Sequence, residues 1–145
     1  MKTRRRARRV VLETLYEYDI AEHEPLEVME RRVEDNPMEG TGIEFTTLLV
    51  QGVVENLAHI DMLIARYAPE WPLDQMAVID RNILRIAIFE FLVSEQTPVK
   101  VAINEAVELA KTYGSDSAPR FVNGVLGTLA DQLEALKEEL LAVPT

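Results

Sequence analysis

Arginine crowds one end of this chain. Six of the eight residues from Lys2 to Arg9 (KTRRRARR) are cationic, and five of these are arginine, in a sequence with eleven arginines and four lysines. A planar guanidinium offers a fork of donors that suits phosphate oxygens, and an aromatic ring can stack on an unpaired base. On a helix wound at about 100° per residue, Arg5, Arg9 and Tyr16 fall within about 40° of one another. Val11, Leu12 and Leu15 form a neighbouring apolar arc. Cations at a helix N-terminus oppose the macrodipole by several tenths of a kcal/mol each, so the cluster is easier to understand if an anion binds it. The charge pattern alone leaves open a solvated tail that aids solubility, or a patch paired with the protein's own acidic surface.

The remaining chemistry is sparse. His23 and His59 stand 36 residues apart, and neither belongs to a metal-ligand spacing. No phosphate-loop or dinucleotide fingerprint occurs; NGVLG, residues 123–127, sits inside a helical pattern, and YGSDSAP, residues 113–119, reads as a helix-to-helix turn. Glu134, Glu138 and Glu139 look like a solvated face. The expectation is therefore no enzyme, no cofactor and no metal. Two polar features sit in apolar surroundings. Asn104 and Glu105 interrupt a helix carrying the small residues Ala102, Ala106 and Ala110, as buried hydrogen-bonding groups would. Arg85 stands alone in NILRIAIFE, where it can pair with Glu105 or Glu90, or reach an anion at the surface.

The chain has 145 residues, 48% hydrophobic and 28% charged, with a formal net charge of −10. That suits one domain with a real core. The first twelve residues hold six positive and no negative charges, and the rest hold nine basic and 25 acidic residues. The average argues against a generic nucleic-acid binder, while the distribution argues for one local anion site. There is no cysteine, which excludes disulfides, thiolate metal sites and a cysteine nucleophile and fits a reducing compartment. The apolar stretch after the basic start carries Glu13, Glu17 and Asp19, no cleavage site follows it, and no run of 18 apolar residues exists. These features predict a cytoplasmic protein.

Helical periodicity runs through nearly every segment, and it predicts an all-α, single compact bundle of six to seven helices over 1–145. The first helix spans about 4–20 and the second 26–33, with residues 34–42 as the clearest loop. One helical region covers 43–67, with Gly52 marking a close crossing. Residues 73–93 become apolar on most sides from Ile83 onward, as a central helix would. Thr97 is expected to cap a helix that begins at Pro98 and stops at a left-handed Gly114. A final helix runs to about Leu140.

Four stretches, RRRARRVVLETLY (4–16), IDRNILRIAIFE (79–90), PVKVAINEAVELAKTYG (98–114) and RFVNGVLG (120–127), resemble the NusB family of transcription antitermination factors in order and spacing. The resemblance implies a non-catalytic protein that binds boxA-type single-stranded RNA in ribosomal RNA leader transcripts. It also implies a partner, NusE, a small-subunit ribosomal protein, and loading of the pair onto elongating RNA polymerase. By position, Arg4, Arg5, Arg8 and Tyr16 of the first helix, Arg85 of the central helix, and Arg120 with Phe121 of the last helix would face RNA. Asp74 and Asp80 would face NusE. The chain departs from the family in its acidic C-terminus, ending AVPT, and in Ser117, Ala118 and Pro119, where polar or basic residues are common. Monomer and homodimer remain open. A different class of reading is a helical adaptor whose arginine helix docks on an acidic protein. A third is an RNA-targeting domain like that of some ribosomal RNA methyltransferases, of which a chain ending at residue 145 is expected to lack the cofactor-binding part.

Overall fold

The computed structural model describes residues 2–142, and within them every regular element is helical. Residues 143–145, most of the AVPT terminus, lie outside the described residues. The order is α1 (Lys2–Ala21), α2 (Pro25–Asp35), α3 (Gly40–Glu55), α4 (Leu57–Tyr67), a 3₁₀ turn (Leu73–Gln75), α5 (Val78–Ile88), a π turn (Phe89–Val93), α6 (Val99–Tyr113), α7 (Ala118–Ala130) and α8 (Leu133–Ala142). The described α-helices thus number eight, where six to seven were expected.

Two breaks account for the difference. The region 43–67 bends by 75° between α3 and α4. At the bend both the backbone N–H and the side-chain Nδ2 of Asn56 donate to the Gly52 carbonyl, at 3.1 and 2.7 Å. An asparagine that bonds back onto its own helix competes with continuation. The last helix breaks likewise at Asp131 and Gln132. The apolar spacing runs through both breaks and hides them.

α5 and the π turn form the central rod. Asn82 through Leu92 are all buried, as the all-round apolar pattern predicted. Leu12 and Leu15 of α1, Leu49 of α3, Ile60 and Ile64 of α4 and Leu126 of α7 close around it. Each such side chain contributes about 1.5–3 kcal/mol by leaving water. Gly52 makes the expected close crossing: a Cβ there would collide with the Phe89 ring. Ala102, Ala106 and Ala110 bury the face of α6 that meets α5 and α7.

Three local expectations fail. The Thr97 hydroxyl does not cap α6 but donates to Glu90 Oε1 at 2.8 Å, deep in the core. Gly114 is extended (φ −92°, ψ 179°), and it is glycine because a Cβ would crowd Ala118 Cβ and the Ala110 carbonyl. Asn104 is exposed, while its neighbour Glu105 is buried.

Candidate nucleic-acid interface

The arginines of α1 divide by helix face. Arg8 is 3% exposed and forks onto Glu90, Nε to Oε2 at 2.9 Å and Nη2 to Oε1 at 2.7 Å. Its guanidinium also lies 5.2 Å from the centroid of the Phe45 ring. Arg85 is 7% exposed, holds Asp61 with two bonds of 2.8 Å, and reaches Asp19 at 2.9 Å. Burial works against the Arg85 charge, but the Asp61 and Asp19 carboxylates outweigh it and hold the group above its ordinary value. Both side chains were expected to face RNA, and the structure corrects this. A long cation on a core-facing position had to find a carboxylate or stay in water: Arg8 found the buried Glu90, and Arg85 the partly buried Asp61 and Asp19. Arg85 pairs with neither Glu90 nor Glu105, since Arg8 and Arg5 hold those. Arg4 lies 4.4 Å from the Phe45 ring centroid on the α3 side, away from Arg5.

The other expected residues fall along one seam. Arg5 and Arg9 line a groove against α6 with Glu105, Glu108 and Thr112. Tyr16 lines a second with Tyr113 of α6 and Ile79 of α5. Arg120 and Phe121 at the start of α7 line a third with Asp80, Ser117 and Trp71. The three grooves border consecutive chain positions, Thr112 and Tyr113 of α6 and Ile79 and Asp80 of α5. Arg5 donates to Glu105 at 2.9 Å while more than half exposed, a bond that leaves most of its fork open. Arg9 and Arg120 are exposed and make no ion pair among the described residues. Burial first, and then the Glu13 carboxylate that accepts its hydrogen bond at 3.1 Å, raise the Tyr113 hydroxyl above its ordinary value.

Asp74 is exposed on the 3₁₀ turn. Asp80 lines the third groove, and its Oδ1 is buried with no hydrogen-bond partner. Burial alone pushes this carboxyl above its ordinary value. No cationic side chain among the described residues pairs with it.

Sequence reasoning named neither Tyr113 nor Trp71 as site residues, and it passed over Arg9 after placing it beside Arg5. Tyr113 stands next to Gly114 in the KTYG segment, which read only as a helix end. Trp71 in APEWP read only as a breaker. Among the described residues, no group of three His, Asp or Glu is arranged to hold a metal ion, and no single helix is long and apolar enough to cross a membrane.

An all-helical bundle with this connectivity is the fold of NusB structures. That of T. maritima NusB superposes with a TM-score of 0.84 at 34% identity, covering 94% of this chain and 96% of that one. The model of the NusB family matches residues 5–131, and the chain belongs to that family. The transcription antitermination protein NusB of Roseiflexus castenholzii is 49% identical over 131 residues, 89% of this chain and 92% of that protein. The one from Chloroflexus aggregans is 47% identical over 137 residues, 93% of this chain and 91% of that protein. A structure of antitermination factors NusB and NusE in complex with dsRNA has a TM-score of 0.83 at 27% identity, covering 90% of this chain and 98% of that one.

Proposed function

We propose that this chain is a transcription antitermination factor of the cytoplasm that binds boxA-type RNA as an unpaired strand, together with a NusE-type basic protein, and travels with elongating RNA polymerase. The observation that carries this reading is the row of three grooves lined by Arg5, Arg9, Tyr16, Tyr113, Arg120 and Phe121. Phosphates meet the open guanidinium groups and splayed bases stack on the rings. Glu105, Glu108 and Glu13 border the same seam, so RNA affinity without the partner is modest. The partner lies against Asp74 and Asp80, with the exposed Asp74 carboxylate meeting its cationic side chains.

With Arg8 and Arg85 in the core, about three arginines remain to neutralise phosphate, and log K should fall with log salt at a slope near −2. Fluorescence anisotropy of a labelled boxA-type oligonucleotide, with and without the partner, measures it. The triple variant R5A/R9A/R120A should lose most of that slope and at least tenfold in affinity while keeping its helicity. Unchanged binding by the triple variant defeats the reading.

A further inference from the structure

Next to the third groove of the seam, and sharing Trp71, Arg120 and Phe121 with it, Trp71 and α7 enclose a further groove. Trp71 is 56% exposed, an unusual position for the largest apolar side chain in the protein. Its ring meets Phe121 edge-on, with centroids 6.5 Å apart and planes at 78°. On the side of this pair away from Asp80, the groove is lined by Tyr67, Trp71, Arg120, Phe121 and Gly124. Gly124 is exposed in the middle of α7, and a Cβ there would meet nothing within 4 Å. The fold therefore imposes no need for glycine at a position where glycine weakens a helix. Close approach of something from outside would impose one.

We propose that this groove holds one unpaired nucleobase, stacked on Trp71 over the bare backbone at Gly124, with the adjoining phosphate on Arg120. The inference rests on the RNA-binding reading and extends its footprint by a subsite. Three features choose a nucleotide over a peptide. The walls are flat rings, the floor lacks a side chain, and the rim carries a guanidinium with no protein partner among the described residues. Trp71, Arg120 and Phe121 line both this groove and the third groove of the seam, so a strand on that part of the seam borders it directly. Asp74 and Asp80 lie outside this groove, and Glu70 is the one carboxylate on its lining.

Trp71 is the only tryptophan, so its fluorescence reports this groove directly. Titration of the full chain with an unlabelled boxA-type 12-mer should quench that emission at the same midpoint as the anisotropy of the labelled strand. Trp71→Ala should weaken RNA binding about tenfold, the range expected for losing one stacked base. Gly124→Ala should raise the melting temperature, because alanine favours the helix, yet weaken RNA binding several-fold; a purely structural glycine would not give both effects. If RNA binds and R5A/R9A weakens it, but the emission is silent and both groove variants bind normally, the subsite is wrong and the seam stands. If the wild-type chain binds no RNA with or without the partner, both fail. If the partner alone quenches Trp71 and RNA adds nothing, the groove belongs to protein and the proposal is overturned.

Discussion

Arg5 and Arg8 stand three residues apart on α1, belong to the same cationic run, and do opposite things. Arg8 is sealed in the core with both nitrogens of its fork on Glu90, while Arg5 lends one nitrogen to Glu105 and keeps the rest in water. The difference is angular. Position 8 shares the face of Ala7, Val11, Leu12 and Leu15, whereas position 5 shares the face of Arg9 and Tyr16. A basic run on a helix is therefore two populations, one that fixes the helix and one that the helix displays. The Arg8–Glu90 pair ties the arginine helix to the central rod at its π turn, and Thr97 completes the carboxylate's hydrogen bonding. An anchored α1 keeps Arg5 and Arg9 in register with α6.

The sharpest way to break this comparison is to unpair the buried member. Glu90→Ala leaves the Arg8 guanidinium charged and stranded in the core, and should cost about 3–5 kcal/mol in urea unfolding. The double variant R8M/E90L removes both charges and restores apolar packing, so it should be more stable than Glu90→Ala alone. If Glu90→Ala lost less than 1 kcal/mol, Arg8 would be free to turn outward and would rejoin the displayed set.

This division marks what the sequence could and could not reveal. The helical class, the central rod, the close crossing at Gly52 and the outward face shared by Arg5, Arg9 and Tyr16 follow from period and residue size. The fates of Arg8 and Arg85 do not. Both follow from carboxylates on other helices, Glu90 82 positions away and Asp19 66 positions away, and a one-dimensional pattern carries no such pairing. The family resemblance also pointed Arg85 outward, whereas Asp61 and Asp19 hold it in. The break at Asn56 stayed hidden because asparagine is a weak helix breaker whose effect depends on the local backbone. Tyr113 and Trp71 became visible only when α6, α7 and the 3₁₀ turn brought distant segments to one surface.

Asp80 inverts the pattern of Arg8, being a half-buried anion without its cation. Its folded-state pKa lies above the unfolded one, so the group contributes relative stability at low pH, and that contribution is lost as pH rises through its raised value. Asp80→Asn should therefore raise stability at neutral pH by about 1 kcal/mol or less, while weakening capture of the basic partner by a larger factor. Thermal melts at pH 7 and pull-down with purified partner measure the two effects. A variant that lost stability without losing the partner would show that Asp80 has an internal cation after all, and the contrast with Arg8 would fail.

Between the sealed and the displayed groups lies Glu17, which gathers His23 at 2.8 Å, Arg31 at 2.9 Å and Arg32 at 3.1 Å near the α1–α2 corner. The His23 bond first, and then the Arg31 bond, hold its carboxyl down at about 2 instead of 4.5. A depressed carboxylate contributes stability that is complete above pH 4.5 and fades as pH falls toward 2. Glu17→Gln should thus melt slightly below wild type at neutral pH, with the difference closing through that window. The effect should be the smallest of the three, because His23 and Arg31 are more than half exposed and water screens such pairs. Moderate salt should shrink the Glu17→Gln difference but leave the Glu90→Ala loss nearly intact, since ions reach the first cluster and not the second. Equal salt sensitivity in both variants would mean that water reaches Glu90, and the two populations of α1 would merge into one.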